Sequence, residues 1–240
     1  MTKTPLTLIS FDLDNTLWAT RRVIGHAERR LRLWLEKEHP HAANSSLSFA
    51  NFQQLRAQVV EQTPALIGHP TQLRIALLTT GFMQAGYSHT AAKQAANAGF
   101  DTFIQARNQV SFFPQAIEVL TMLSQQFRLV AITNGNASLN RIGIGHLFAA
   151  QYTAETVGYA KPAPEIYQHM LAEQNVSAEL CLHIGDHPEE DIQAAQNCGL
   201  HTVWSNLLDM TWPSTQAKPK LCIEHLAQLP SLITQHFKPV

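Results

Sequence analysis

The run Leu6-Thr7-Leu8-Ile9-Ser10-Phe11 is stopped abruptly by Asp12-Leu13-Asp14-Asn15-Thr16. Six residues are too few for a helix and apolar enough to be buried, so the run reads as a strand. It ends in two carboxylates one residue apart. Burial opposes the charge of each, and their mutual repulsion adds to the cost. A divalent cation that both groups face is the usual remedy. A chain built on such a strand end is expected to bring further segments to it and complete a metal and phosphate site.

The rest of the chain offers those segments. Arg128-Leu129-Val130-Ala131-Ile132, Leu180-Cys181-Leu182-His183-Ile184 and Leu200-His201-Thr202-Val203-Trp204 read as buried strands. Tyr152-Thr153-Ala154 and Leu221-Cys222-Ile223 are weaker candidates. Helical stretches lie between them. Residues 114–126 carry Ile117, Leu120, Met122 and Leu123 near helical spacing, and residues 164–175 carry Ile166, Tyr167, Met170 and Leu171. A helix over 189–198 would stop at Gly199. Strands alternating with helices predict an α/β fold with a mainly parallel sheet. Pro213, Pro219 and Pro230 predict a loop-rich tail.

Residues 19–109 show little strand signal. Val23, Ile24, Ala27, Leu31, Trp34 and Leu35 form a stripe for one helix. Ser48 or Asn51 starts a second, Pro70-Thr71 a third that stops near Gly86, and Ser88 caps a fourth running to about Asn108. The expected organisation is a core from residues 1–18 and 110–240, interrupted by an all-helical insertion.

At 240 residues and 45% hydrophobic, the chain can bury a sizeable core. Its net charge of -1 shows no basic excess for nucleic acid. No apolar run approaches the roughly 20 residues that span a bilayer. Cys181, Cys198 and Cys222 form no CxxC pattern, which predicts free thiols in a reducing, cytoplasmic setting. The twelve histidines are scattered without ligand spacing.

Four polar clusters remain. Asp12 at a strand end can attack phosphorus, and Asp14 can serve as acid and base; the same residues can also form a simple Asx-turn. Thr133-Asn134-Gly135-Asn136 can donate to phosphate oxygens or merely turn the chain. Lys161-Pro162-Ala163-Pro164 can offer a charge to a phosphoryl group or an ordinary exposed lysine. Gly185-Asp186-His187-Pro188-Glu189-Glu190-Asp191 can offer a metal ligand in Asp186 and a brace in Asp191, or an acidic first helical turn. Glu189 and Glu190 are assigned only the helix-dipole role. The conjunction of all four, in order and on an α/β pattern, favours a catalytic site.

Asp12-x-Asp14-x-Thr16, Thr133-Asn134-Gly135, Lys161-Pro162 and Gly185-Asp186-x-x-x-x-Asp191 resemble the four motifs of the haloacid dehalogenase-like hydrolases. The resemblance implies a Rossmann-like three-layer core with a helical cap inserted after the first motif. It makes Asp12 the nucleophile and Asp14 the general acid/base. It assigns Mg²⁺ to Asp12, Asp186 and the backbone carbonyl of Asp14. Thr133, Asn134 and Lys161 are the phosphate binders, with Asp191 and Thr16 in support. Dehalogenases of the superfamily lack the second acid, so Asp14 favours phosphoryl transfer.

The string Val130-Ala131-Ile132-Thr133-Asn134-Gly135-Asn136-Ala137, with Asp14-Asn15-Thr16-Leu17-Trp18, Arg21 and Val23-Ile24, is similar to a narrower subgroup of phosphatases. These act on FMN and on 5-amino-6-(5-phospho-D-ribitylamino)uracil, an intermediate of riboflavin synthesis. His187 departs from the Asn, Asp or Ser often found there.

The expected protein is thus a Mg²⁺-dependent phosphatase of a small phosphorylated metabolite, with no nucleic-acid, membrane or obligate protein partner. Arg21 and Arg74 are candidate substrate contacts in the cap, and Trp34 is read as core. Phosphatases of nucleotides, phosphoglycolate or sugar phosphates are alternatives, as are a sugar phosphomutase and a non-catalytic binding module.

Overall fold

The computed structural model describes residues 3–215, 217 and 219–240. The chain forms two compact units. One combines the residues up to Thr20 with Ser111–Val240, and the other is Arg21–Val110. From the N-terminal side come β1 (Thr4–Leu6) and β2 (Leu8–Phe11), then α1 (Thr20–Glu38), α2 (Pro40–Asn44), α3 (Phe49–Gln62), α4 (Pro70–Gln84) and α5 (His89–Arg107). The chain returns through α6 (Ala116–Ser124), β3 (Arg128–Thr133), α7 (Leu139–Ile142), β4 (Ala150–Thr153), α8 (Ala154–Val157) and α9 (Pro164–Gln174). It continues through β5 (Cys181–Gly185), α10 (Ala194–Asn197), β6 (His201–Ser205), β7 (Cys222–Ile223), α11 (Leu229–His236) and β8 (Phe237–Pro239).

Six strands form one sheet in the order β4-β3-β2-β5-β6-β7, all parallel. Every residue of β2 is buried, as a central strand covered on both faces requires. On one face Leu8, Val130, Ile132 and Cys181 pack against Ile166, Tyr167 and Met170 of α9 and Ala194 and Ala195 of α10. The alternate residues Ile9, Phe11, Leu129 and Leu182 point the other way and are equally buried. From β2 the chain moves first to β3 on one side and later to β5 on the other. That reversal opens a crevice at the carboxyl end of β2, where ligands of open parallel sheets bind.

The helical unit is built by burying one stripe per helix. Val23, Ala27, Leu31 and Leu35 of α1 recur at four-residue spacing, and all are buried. Helix α4 begins at Pro70 and buries Leu73, Leu77, Leu78 and Phe82, and Gly86 takes a φ of 89° beyond its end. The Ser88 hydroxyl caps α5 by accepting from the Ala91 N–H at 3.4 Å. Gly81 admits Leu47 so closely that a Cβ would collide with it. Trp34 packs edge-on to His39, with ring centroids 4.9 Å apart, as expected of a core residue.

Several local expectations need correction. The first run is two strands, not one. Thr7, between them, still bonds to both flanking segments, its N–H donating to Leu180 O and its carbonyl accepting from the Arg128 N–H, while β1 pairs with β8 in a separate two-stranded sheet. Helix α6 buries Ala116, Val119, Leu120 and Leu123, whereas Ile117 and Met122 are exposed. The stretch 189–198 is a π-helical segment, Pro188–Gln193, running into α10. The tail contains α11, with Pro230 in its first turn, and β8. Proline in the first helical turn loses no hydrogen bond, so it starts that helix rather than breaking it.

Candidate active site

Three polar segments follow strand ends, and a fourth folds over them. Asp12 follows β2, Thr133 ends β3, and Asp186 follows β5. After Asp12 the chain turns tightly, with Asn15 at φ 64° and its N–H donating to Trp18 O at 2.8 Å. Asparagine is among the few residues that tolerate that conformation. The turn fixes Asp14, whose Oδ1 accepts from Trp18 Nε1 at 2.8 Å and Thr20 Oγ1 at 3.0 Å. Thr16 Oγ1 donates to Asp12 Oδ2 at 3.1 Å.

Lys161 is 4% exposed, which removes the alternative of an ordinary surface lysine. Its ammonium donates to Asp12 Oδ1 at 2.7 Å, Asp191 Oδ1 at 2.5 Å and Ile132 O at 3.0 Å. All three ammonium hydrogens are thereby used. Burial alone would lower its pKa, but Asp12 and Asp191 hold it well above the usual lysine value.

Asp12, Asp186 and Asp191 each present an oxygen, and these lie within 4.8 Å of one another. Burial raises the Asp12 carboxyl well above its ordinary range; Lys161 opposes the rise, and Asp191 and Asp186 add to it. Burial, then the Asp191 charge, pushes Asp186 up to about 7. Burial also acts to raise Asp191, but Lys161 and the His183 hydrogen bond hold it below the usual carboxylate range. Two buried acids and the half-buried Asp186 against one ammonium leave an excess of acidic groups, which a divalent cation would neutralise. The donor set is all oxygen and suits a hard ion.

Asp191 is already well supplied with donors. Besides Lys161, the His187 N–H donates to its Oδ2 at 2.9 Å, and His183 Nε2 lies 3.3 Å from its Oδ1. Gly185 makes this possible, because a Cβ there would run into the Asp191 carboxylate. Asp191 thus holds the loop after β5 through the His187 N–H. Asp14's carboxylate stands outside this trio, which leaves its backbone carbonyl as its expected contribution to a metal.

Other residues take tasks that the sequence did not suggest. Asn134 Nδ2 donates to Lys161 O at 2.8 Å and Glu190 Oε2 at 2.9 Å, and its Oδ1 accepts from the Lys161 N–H at 2.7 Å. The amide clamps the Lys161 loop rather than reaching out as the expected phosphate donor. Glu190 does more than complement a dipole, since it holds that clamp. Thr133 is buried, and its Oγ1 accepts from the Gly135 N–H at 3.0 Å. His187 caps the following turn by accepting from the Glu190 N–H at Nδ1, 3.1 Å away. In the helical unit Arg21 is exposed on α1. Arg74 pairs with Glu28 at 2.7 Å, and its guanidinium lies 3.7 Å from the Phe103 ring centroid. Ser10 and His183, both fully buried beside this site, are not among the residues the sequence singles out. The available signal was a polar side chain inside an apolar strand, which must find a partner.

Comparison with known proteins agrees with this geometry. A family model for the haloacid dehalogenase-like hydrolases matches residues 6–199. The chain is 32% identical to the 5-amino-6-(5-phospho-D-ribitylamino)uracil phosphatase YigB of Escherichia coli K12, over 95% of this chain and 96% of that one. It is 27% identical to a glyceraldehyde 3-phosphate phosphatase of Methanopyrus kandleri, over 81% and 82%. The structure of a 2-haloacid dehalogenase from Pseudomonas syringae pv. Tomato DC3000 superposes with a TM-score of 0.89 at 33% identity, covering 96% of this chain and 99% of that one. Acids gathered at the switch point of a parallel sheet, in a segment matched from end to end by one family model, place this chain in the haloacid dehalogenase-like hydrolase family.

Proposed function

We propose that the chain is a Mg²⁺-dependent phosphatase of small phosphorylated metabolites, working through an aspartyl-phosphate on Asp12. The carrying observation is the Asp12 carboxylate itself. It is buried at the end of the central strand, held by Lys161 and Thr16, and followed two residues later by a second, separately anchored acid.

In the first half-reaction, an Asp12 oxygen bonds to phosphorus as the bond from phosphorus to the alcohol oxygen breaks. Asp14 delivers a proton to the departing oxygen. In the second, Asp14 takes a proton from water, whose oxygen attacks phosphorus and frees Asp12 and inorganic phosphate. Lys161 offsets charge on the phosphoryl oxygens, and Thr133 borders the same crevice. Trp18 and Thr20 orient Asp14 throughout. Mg²⁺ would be held by Asp12, Asp186 and the Asp14 carbonyl, and it would supply positive charge to the transferring group. Positioning and charge stabilisation carry most of the catalysis in phosphoryl transfer.

The core motifs address only phosphate, so they leave the rest of the substrate unspecified. The likeness to YigB across almost the whole chain supports the phosphoribitylaminouracil as the first substrate to try, with FMN, which the motif resemblance implies, as the second. Of the two arginines singled out in the helical unit, Arg21 is exposed and Arg74 is paired with Glu28. The dehalogenase likeness supports a second reading, carbon–halogen hydrolysis, against which the anchored Asp14 stands.

A release assay decides between them. Inorganic phosphate should appear from FMN or another small phosphate ester with Mg²⁺, cease with EDTA, and return with added Mg²⁺. Asp12→Asn should lower kcat at least about 10³-fold with an unchanged circular dichroism spectrum. Halide release from a 2-haloacid, without phosphate release from any ester, would overturn the proposal.

A further inference from the structure

Behind the nucleophile lies a chain of buried polar groups. Ser10 and His183 are register partners in the parallel β2–β5 ladder, so their side chains share a face. Ser10 Oγ is 2.8 Å from His183 Nδ1, and His183 Nε2 is 3.3 Å from Asp191 Oδ1. Asp191 and Asp12 both hold Lys161. Asp12 and Gly185 each lie two residues beyond these partners, on the same face by strand alternation. The Tyr167 ring closes the His183 pocket edge-on, with centroids 5.2 Å apart.

The tautomer follows from the acceptors. Asp191 Oδ1 already accepts from the Lys161 ammonium and its Oδ2 from the His187 N–H, so Asp191 meets His183 as an acceptor. His183 Nε2 must therefore carry the hydrogen, and Nδ1 must accept from the Ser10 hydroxyl. The alternative, a protonated Nδ1, would set a bare Nε2 lone pair against a carboxylate. It would also send the Ser10 hydroxyl to Leu182 O, 3.4 Å away. The ring is fully buried, and the Lys161 ammonium already sits on the same Asp191 oxygen, an arrangement that favours the neutral imidazole.

We propose that His183 is a positioning residue for the nucleophile: held by Ser10 as its Nε2–H tautomer, it donates to Asp191 and so keeps Lys161 shared between Asp191 and Asp12. Two donors, Lys161 and His183, meet on the single oxygen Asp191 Oδ1. Without His183 that oxygen leans on Lys161 alone. The ammonium then shifts toward Asp191, and its bond to Asp12 lengthens. The nucleophile loses the contact that orients it and offsets its charge.

Because the kinetic measurements presuppose the nucleophilic role of Asp12, a spectroscopic measurement accompanies them. The ¹⁵N spectrum of His183 in the full chain should show a neutral ring protonated at Nε2, whether or not the protein cleaves any ester. A ring protonated at Nδ1 overturns the proposal. In phosphate release, His183→Leu should lower kcat about tenfold or more with KM within about twofold. His183→Gln, whose amide can still donate to Asp191, should recover most of that loss. Ser10→Ala should lower kcat by less, and should add nothing in the His183→Leu background, as expected of residues acting in series. Undiminished kcat in His183→Leu, a Gln variant no better than Leu, or additive losses would each overturn the proposal. Should His183→Leu fail to fold, Ser10→Ala and the spectrum decide. Should the wild-type chain release no phosphate from any ester, the phosphatase reading falls and the tautomer alone decides the hydrogen-bond chain.

Discussion

Lys161 shows how much one side chain can hold together. It is 149 residues from Asp12 in sequence and 30 from Asp191, yet it bonds to both in a buried site. Removing one partner of a buried ion pair is costlier than the pair's net worth, because the remaining charge stays buried. Lys161→Met should therefore destabilise the fold by about 3–5 kcal/mol at pH 8, seen as a lower urea midpoint. The loss should be smaller at pH 5 than at pH 8, because burial already favours the protonated Asp12 carboxyl that acid supplies. An equal loss at both pH values would mean that Lys161 acts through packing rather than charge. Asn134 carries a related lesson, since both ends of its amide are committed to the loop that delivers this lysine.

At the scale of elements, each helix of the Arg21–Val110 unit depends on a few local devices. Helix α5 is 19 residues long, and its first turn is capped by Ser88. Ser88→Ala should cost about 1 kcal/mol, read as a lower melting temperature with the release activity per folded molecule unchanged. Helices α3 and α4 meet Leu47 where Gly81 leaves no room for a Cβ. The strands obey a different logic. β2 is central and wholly buried, so its residues alternate between two covered faces rather than between core and water. That is why a serine in its middle, like the histidine beside it in β5, signals a hydrogen-bonded network.

For the whole molecule, the balance of charge at the switch point sets the response to pH and to a cation. Asp186 is pushed up to about 7 by burial first and by Asp191 second. The cation-free folded chain thus keeps a proton that the unfolded chain releases near pH 4. Cation-free stability should fall as pH rises from about 4 to about 7, and remain at the lower level above it. Saturating Mg²⁺, at about a hundred times its Kd, should add about 2.7 kcal/mol. The gain in melting temperature should be larger at pH 8 than at pH 5, because protons and the cation compete for the same oxygens. Asp186→Asn should abolish most of that gain. An equal Mg²⁺ response at pH 5 and pH 8 would count against these acids as the ligands.

The sequence by itself determined the parallel α/β core, because apolar runs of strand length alternating with helical stripes have few other ways to be buried. It also determined where the acids stand, since Asp12 and Asp186 follow strand runs that cannot continue through charge. The stops at Gly86 and Gly199 were readable as well, each needing a positive φ. Only tertiary structure decided what each polar group touches. Asn134 faces the Lys161 loop, Glu190 joins it, His183 meets Asp191, and Arg74 is taken by Glu28. The separation of β1 from β2 and the pairing of β1 with β8 were equally hidden. The reason is physical: strand and helix formation follow periodicities within a few residues, whereas a hydrogen bond between distant residues depends on distances that exist only after the sheet has closed.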